Sequence, residues 1–174
     1  MSVGDRVPER LRWMGDVLDP QPADAVLELG CGNGALAALL LPRLPRGSYL
    51  GLDRSPSAIA ASVWRNSDAV ASGAAGFRVV DIAKAEPERR YDRIVAVNLN
   101  LFWTGDAPEL TRMRGWLAPR GRLYLAFQPP AADALARIEA ALRTNLARQG
   151  YTVAEVRRAP MQPAPALCAI ASAD

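Results

Sequence analysis

The stretch VLELGCGNG, residues 26–34, runs from an apolar segment directly into three glycines at every second position. Glycine loses more backbone entropy on folding than other residues, so this spacing indicates a turn whose conformation or close contacts exclude side chains. A strand that enters a glycine-rich turn and then a helix is how open α/β sheets build nucleotide sites. The stretch therefore predicts an α/β sheet with a ligand at this turn. It also raises the question of why an acid, Glu28, lies inside the apolar run.

The rest of the chain repeats this alternation of apolar segments and helical stretches. Strands separated by helices predict a doubly wound parallel sheet, because right-handed crossovers place helices on both faces. A proline-rich loop before the last segment predicts an antiparallel C-terminal strand. We therefore expect an α/β fold with a mostly parallel, seven-stranded sheet, whose strands are Ala25–Leu29, Tyr49–Asp53, Phe77–Asp81, Asp92–Asn98, Arg122–Phe127, Thr152–Arg157 and Leu167–Ala171.

Local signals mark the ends of the intervening helices. Ser55 before a proline has the pattern of an N-cap, and Asp106 with Glu109 has the spacing of a capping box. Helices are expected from Pro8 to Leu18, over Leu36–Leu41, from Ser55 to about Asn66, from Asp106 to near Gly115, and over Asp133–Gln149. We expect one domain over residues 1–174, with a helical lid (1–20), a ligand-binding core (21–128) and a helix with an antiparallel hairpin (129–174).

The sequence contains no histidine and only two cysteines, Cys31 and Cys168. Histidine is the commonest general base and the commonest metal ligand, and the two cysteines match neither a zinc site nor a disulfide framework. Hydrolase triads and histidine-based metal sites are therefore excluded, and we expect no bound metal.

The basic residues are almost all arginine, with Lys84 the single lysine, and the net charge is +3. They are scattered along the chain, whereas a nucleic-acid interface needs a basic stripe. No apolar run approaches the roughly 20 residues of a membrane span. The N-terminal sequence MSVGDRVPERLRW also lacks the apolar core of a secretion signal. We therefore expect a cytoplasmic protein that binds neither nucleic acid nor a membrane.

Polar residues end the strands that follow the glycine turn. Asp53 ends the second strand, Asp81 the third and Asn98 the fourth. The carboxyl ends of parallel strands meet at one edge, where such sheets bind their ligands, so these side chains should share a crevice. The glycine turn with Asp53 also satisfies the dinucleotide fingerprint. At this point a nicotinamide cofactor and other adenosyl ligands both remain open.

Five ordered motifs make the sequence similar to the class I S-adenosylmethionine-dependent methyltransferases. They are VLELGCGNG, YLGLDRSPSAI, FRVVDIAKA, YDRIVAVN and WLAPRGRLYLAF, and together they extend from about Ala25 to Phe127. The fifth departs slightly, since the family usually has two glycines where this chain has Arg120 and Gly121. The resemblance implies a Rossmann-like fold that uses S-adenosylmethionine, releases S-adenosylhomocysteine and needs no metal.

The resemblance also implies where the cofactor binds. The glycines would bring the backbone close to the cofactor, with Glu28 at the base of the site. Asp53 would accept hydrogen bonds from both ribose hydroxyls, and Asp81 would reach the adenine amino group. The complete set of implied cofactor-binding residues is Glu28, Gly30, Cys31, Gly32, Asn33, Gly34, Asp53, Arg54, Asp81, Ile82 and Asn98.

The acceptor side of the site is less defined. The segment NLNLFWTGD follows the fourth strand and contains Asn100, Phe102 and Trp103. An aromatic wall there would suit a flat or apolar acceptor, and core packing is the alternative for both aromatics. Trp13 on the N-terminal helix is a further candidate, as part of a lid. No residue is assigned as the general base.

These patterns predict transfer of a methyl group from S-adenosylmethionine to an unidentified acceptor. The acceptor is expected to be a small molecule, because the chain shows no basic stripe, and a second copy in a homodimer is a candidate partner. One alternative is a nicotinamide-dependent oxidoreductase, which Gly34 and the fourth and fifth motifs disfavour. Another is a protein that binds the cofactor without catalysis, since no base is identified.

Overall fold

A computed structural model describes residues 7–173 and contains one seven-stranded sheet. Its strands are β1 (Ala25–Leu29), β2 (Ser48–Asp53), β3 (Ala75–Val79), β4 (Tyr91–Val97), β5 (Leu117–Phe127), β6 (Thr152–Ala159) and β7 (Ala166–Ser172). They lie side by side in the order β3-β2-β1-β4-β5-β7-β6. The first five are parallel, and β7 pairs antiparallel with both β5 and β6. The expected α/β sheet with an antiparallel C-terminal strand is confirmed.

Five helices lie in the expected places with shifted ends, and a further short helix over Ser67–Ala71 was not predicted. The helices are α1 (Glu9–Leu18), α2 (Ala35–Leu40), α3 (Pro56–Arg65), α4 (Ser67–Ala71), α5 (Glu109–Met113) and α6 (Ala134–Arg148). The Ser55 hydroxyl accepts a hydrogen bond from the Ala58 amide at 3.3 Å, so Ser55 caps α3 as its sequence indicates. None of the helices within residues 7–173 has both the length and the hydrophobicity that a membrane crossing requires.

The predicted capping box at the start of α5 is wrong. The N-cap of this helix is Pro108, and no side chain caps it. The Asp106 carboxylate instead forms an ion pair with Arg148 on α6. Asp106, which the local spacing predicted to cap the helix, therefore pairs with an arginine that is distant in the sequence.

Two apolar clusters, one on each face, hold the helices against the sheet. On one face Met14 of α1 and Leu36 of α2 pack with Val26 of β1. On the other face Leu110 of α5 and Leu142 of α6 pack in a separate cluster with Ala25, Leu27 and Leu29 of β1. All five residues of β1 are buried, which explains the continuous apolar run there.

The strand register aligns the residues that follow β1, β2 and β4. Leu29 pairs with Leu52 on one side and with Ala96 on the other. The glycine turn, the end of β2 and the segment after β4 therefore emerge together at the carboxyl edge of the sheet. β3 ends at Val79, so Asp81 stands after the strand and caps a short 3-10 helix through the Ala83 amide at 3.0 Å.

Candidate active site

The glycine turn after β1 has a backbone that side chains would strain. Gly30, Gly32 and Gly34 have φ values of +72°, +54° and +72°. Positive φ is costly for residues with a Cβ, which accounts for the alternating glycines. The turn is tied to β2, because the amides of Gly30 and Cys31 both donate to the Leu52 carbonyl, at 2.8 and 3.0 Å.

The glycines of this turn differ in what surrounds them. A Cβ on Gly32 would have no atom within 4 Å, because this glycine faces an open cavity. A Cβ on Gly34 would lie 2.6 Å from Asn66 Nδ2 and 3.0 Å from the Ser62 Cα. Gly34 is thus required for packing between the start of α2 and α3.

Asp53, the last residue of β2, holds the turn in place. Its Oδ2 accepts from the Gly32 amide at 3.0 Å and its Oδ1 from the Ser55 amide at 2.9 Å. Each carboxylate oxygen can accept more than one hydrogen bond. The carboxylate therefore remains able to accept hydrogen bonds from a ligand.

Three adjoining cavities lie along the carboxyl edge. The first, here called the glycine-turn cavity, measures about 260 Å³ and lies between the turn and residues 7–11, with Glu28, Cys31 and Asn33 in its wall. The second, the strand-end cavity, measures about 590 Å³ and is lined by residues that include Asp53, Arg54, Asp81, Ile82 and Glu109.

The third cavity, here called the α6 cavity, measures about 380 Å³ and lies between the end of β5 and α6. Trp103, Gln128 and Arg137 are among its lining residues. Asn98 borders all three cavities, and Asn100 borders the strand-end cavity and the α6 cavity. The three cavities therefore adjoin one another at the end of β4.

Glu28 lies in the floor of the glycine-turn cavity with only 3% of its surface exposed. The Tyr49 hydroxyl donates a hydrogen bond to its Oε2. Burial raises the pKa of Glu28 to about 8, an effect that the hydrogen bond from Tyr49 opposes and the nearby Asp53 charge increases. Near neutral pH the carboxyl therefore retains its proton in most molecules.

Asn98 has a left-handed backbone with φ +56°. Its amide donates to the Ala126 carbonyl at 2.8 Å, and its Oδ1 accepts from the Gln128 amide at 2.7 Å. These bonds connect the end of β4 to the end of β5. Because Oδ1 is the acceptor, the side-chain NH₂ group is left to donate into the site.

The structure brings most of the predicted cofactor-binding residues to this site. Gly30, Cys31, Gly32 and Asn33 border the glycine-turn cavity, and Arg54 and Ile82 join the two aspartates in the strand-end cavity. Gly34 is not among the residues that line these two cavities. Of the candidates on the acceptor side, Asn100 and Trp103 line the α6 cavity.

Two candidates for the acceptor side do not line these cavities. Phe102 is fully buried in the core under α5 and α6, so it forms no wall of a cavity. Trp13 packs on the cluster beside α1 and α2 and lines none of the three cavities. Residues 7–11 border the glycine-turn cavity instead, while residues 1–6 of the expected lid lie outside the described part of the chain.

Sequence reasoning missed several cationic side chains of the site. Arg10 and Arg65 border the glycine-turn cavity, and the Arg65 Nε donates to the Asn33 carbonyl at 3.1 Å. Arg137 borders the α6 cavity. The chain has twenty arginines, and each of these three lies on an amphipathic helix. In the sequence, such a position is typical of a solvent-exposed helix face. Only the three-dimensional arrangement distinguishes them.

The sequence matches the methyltransferase domain family over residues 27–123. It is similar to a trans-aconitate 2-methyltransferase from Methylobacterium radiotolerans, at 36% identity over 126 residues, which cover 70% of this chain and 45% of that protein. The chain thus spans about half the length of the curated relatives that it matches.

Two solved structures share the fold. One is the N-methyltransferase NodS from Bradyrhizobium japonicum, with a TM-score of 0.70, 22% identity, and coverage of 94% of this chain and 93% of that chain. The other is an S-adenosylmethionine-dependent methyltransferase from Geobacter sulfurreducens in complex with S-adenosylhomocysteine, with a TM-score of 0.65, 22% identity, and coverage of 88% and 67%. At these identities the likeness concerns the fold alone.

Proposed function

The chain belongs to the class I S-adenosylmethionine-dependent methyltransferase family, and from this premise we propose that it transfers a methyl group from S-adenosylmethionine to a small-molecule acceptor. The observation that carries the proposal is the convergence of Asp53, Asp81 and Asn98 around a cavity that adjoins the glycine turn. Ends of successive parallel strands form the ligand crevice of such sheets.

The charge of the strand-end cavity fits the proposed cofactor. S-adenosylmethionine carries a positively charged sulfonium next to its ribose, and the cavity is lined by the carboxylates of Asp53, Asp81 and Glu109 with one arginine, Arg54. Asp53 would hold the ribose hydroxyls, and Asp81 with the apolar side chain of Ile82 would hold the adenine. Gly32 leaves its backbone open to the ligand, since no atom lies where its Cβ would be.

The glycine-turn cavity would take the amino-acid end of the cofactor. Its cations, Arg10 and Arg65, suit a carboxylate, and an oxygen of the neutral Glu28 carboxyl in its floor can accept a hydrogen bond from an ammonium group. When bound, S-adenosylmethionine supplies a methyl group activated by its positively charged sulfur. The chain's own residues bind and orient the two reactants, which is the main contribution that proteins make to such cofactor chemistry.

The named relatives supply the first acceptor to test. They are trans-aconitate 2-methyltransferases, and the α6 cavity of about 380 Å³ is large enough for a molecule of that size. We therefore propose a small molecule as the acceptor, with trans-aconitate as its first representative. Incubation with methyl-labelled S-adenosylmethionine and trans-aconitate should give a labelled monomethyl ester, measured by mass spectrometry.

Binding is tested separately from turnover. Calorimetric titration with S-adenosylhomocysteine, S-adenosylmethionine and NAD should give saturable binding of the two adenosyl ligands and none of NAD. A ligand at 100 times its Kd adds about 2.7 kcal/mol to the free energy of unfolding, so the melting temperature should rise as well. Binding of NAD in place of the adenosyl ligands would overturn the proposal.

A variant of Asp53 tests the proposed ribose contact. Asp53→Asn removes the charge and one of the acceptor oxygens, and we expect S-adenosylhomocysteine affinity to fall at least about tenfold. The matched control is Asp16→Asn, whose side chain is 85% exposed on α1 and lies outside the three cavities. Unchanged affinity in the Asp53 variant would place the ribose elsewhere.

A further inference from the structure

We propose that the α6 cavity binds the methyl acceptor as an ionised carboxylate, which Arg137 recognises beside the ring of Trp103. The inference rests on the proposed methyl transfer and specifies the chemistry of its acceptor. It follows from the side chains that line the cavity, from the lack of a carboxylate partner for Arg137 within residues 7–173, and from the position of Asn98 at the junction of the three cavities.

The α6 cavity differs in charge from the strand-end cavity beside it. Three carboxylates line the strand-end cavity. None is found among the described residues of the α6 cavity, where Arg137 is the one charged side chain and Phe127, Pro129 and Ile138 form apolar walls. A cavity with one cation and apolar walls suits a small anion with a planar or apolar body.

The α6 cavity also contains no group that could act as a general base. Its described lining consists of amide, aromatic and aliphatic side chains, two prolines and an arginine. A hydroxyl acceptor must lose its proton to a base, whereas a carboxylate has a pKa near 4 and is already ionised at neutral pH. An acceptor that arrives deprotonated removes the need for a base, which agrees with a chain without histidine.

Arg137 is free to pair with such an anion. Its guanidinium carbon lies 5.6 Å from the centre of the Trp103 ring, within the range of a cation–π contact. Arg143 and Arg148 on the same helix form ion pairs with Glu139 and Asp106. In contrast, Arg137 has no carboxylate partner within residues 7–173.

The ring of Trp103 makes one hydrogen bond beside this arginine. Its Nε1 donates to the Asn100 Oδ1 at 3.2 Å, and Asn100 also borders the strand-end cavity. A planar guanidinium matches the flat shape of a carboxylate and can bind both oxygens. The NH₂ group of Asn98, at the junction of the cavities, offers a second donor.

The transfer is balanced without any proton. One oxygen of the acceptor carboxylate forms a bond to the methyl carbon while the bond between that carbon and sulfur breaks. The electron pair of the broken bond goes to sulfur, which becomes the neutral thioether of S-adenosylhomocysteine. The acceptor becomes a methyl ester, so its charge falls by one and its attraction to Arg137 weakens.

The experiment measures acceptor binding with S-adenosylhomocysteine already bound, so that no turnover occurs. Calorimetric titration of the wild-type protein should show binding of trans-aconitate and no binding of its neutral trimethyl ester. Arg137→Gln should weaken trans-aconitate binding at least about tenfold, the usual effect of losing a charge-assisted pair. Arg137→Lys keeps the charge and loses the planar guanidinium, so its trans-aconitate affinity should lie between those of the wild type and Arg137→Gln.

The matched control is Arg143→Gln, on the same helix but outside the α6 cavity. We expect its trans-aconitate affinity, and the S-adenosylhomocysteine affinity of every variant, to stay within about twofold of wild type. Such a result also shows that the variants are folded. Equal trans-aconitate binding by Arg137→Gln and wild type would overturn the inference, as would equal binding of the trimethyl ester.

Two further outcomes separate this inference from the proposed function. If S-adenosylhomocysteine binds but no carboxylate does, the proposed cofactor stands and the inference about the acceptor is wrong. If S-adenosylhomocysteine itself fails to bind, the proposed function is wrong and the inference fails with it. Inorganic phosphate that competes equally with trans-aconitate would indicate a general anion site and overturn the carboxylate assignment.

Discussion

Tyr49 donates a hydrogen bond from its phenol to the carboxyl group of Glu28, and each residue has 3% of its surface exposed. The contact joins the floor of the glycine-turn cavity to β2. Burial is the main cause that raises the pKa of Glu28 to about 8, and it also raises the pKa of Tyr49 well above its usual value. The acid inside the apolar run of β1 is therefore mostly uncharged near neutral pH.

This pair makes the stability of the protein depend on pH. Below its ordinary pKa of 4.5, Glu28 is protonated in the folded and the unfolded chain alike. Between 4.5 and about 8 the unfolded chain ionises while the folded chain keeps its proton. The unfolded state then binds fewer protons, so Glu28 lowers the free energy of unfolding by up to about 1.4 kcal/mol per pH unit in this window.

Glu28→Gln should remove this dependence, because the amide is neutral at every pH and can still accept from Tyr49. Urea denaturation of both proteins between about pH 5 and pH 8 should show the variant gaining stability relative to wild type as the pH rises. The comparison cancels the titration of other groups. Parallel pH profiles for the two proteins would mean that Glu28 is ionised throughout the window.

Tyr49→Phe should extend to higher pH the range over which Glu28 lowers the free energy of unfolding. The hydrogen bond from Tyr49 lowers the pKa of Glu28 against the larger effect of burial, so its removal leaves the pKa higher than before. A buried acceptor without its donor also costs about 1–3 kcal/mol of stability. We expect a lower unfolding midpoint in urea, together with a decline in stability that extends to higher pH. A midpoint equal to wild type at every pH would show that the bond contributes nothing.

Much of the fold could be predicted because its signals are local. The apolar run of β1 and the alternating glycines each report a local requirement, namely burial on both faces and positive φ. The alignment of Asp53, Asp81 and Asn98 followed from parallel topology alone. These features need no knowledge of which distant side chains meet.

The errors arose where distant contacts decide the outcome. Asp106 has the spacing of a cap, but Arg148 on α6 takes its carboxylate. Phe102 follows β4 next to the site, yet the packing of α5 and α6 closes over it. Arg137 borders the α6 cavity because the turn of α6 places it beside Trp103. None of these pairings leaves a pattern in the sequence.

Gly34→Ala should destabilise the protein more than the same change at another glycine with positive φ. Its Cβ would lie 2.6 Å from Asn66 Nδ2 and 3.0 Å from the Ser62 backbone, so it adds a steric clash to the backbone strain. The matched control is Gly73→Ala, where φ is +77° and no atom lies within 4 Å of the added Cβ.

Urea denaturation of the two variants separates strain from clash. We expect a loss of roughly 1 kcal/mol for Gly73→Ala from backbone strain. Gly34→Ala should lose that amount and a further 1–3 kcal/mol, roughly the cost of overpacking. Equal losses in the two variants would mean that the start of α2 moves away from α3 without cost.

The side chain of Asn98 allows charge at the junction of the three cavities to be changed without losing its structural bond. Asn98→Asp keeps an oxygen to accept from the Gln128 amide, and aspartate tolerates the φ of +56° nearly as well as asparagine. Asn98→Gly accommodates this backbone but loses the bond to Gln128. The two variants thus separate the effect of charge from the effect of structure.

We expect Asn98→Asp to weaken trans-aconitate binding at least about tenfold with S-adenosylhomocysteine bound, because a carboxylate replaces a donor next to an anionic acceptor. Its stability should stay within about 1 kcal/mol of wild type, whereas Asn98→Gly should lose about 1 kcal/mol with the bond to Gln128. Titration calorimetry and urea denaturation measure the two effects. Unchanged binding of trans-aconitate to Asn98→Asp would place the acceptor's negative charge away from the end of β4, since a carboxylate close to that charge would repel it.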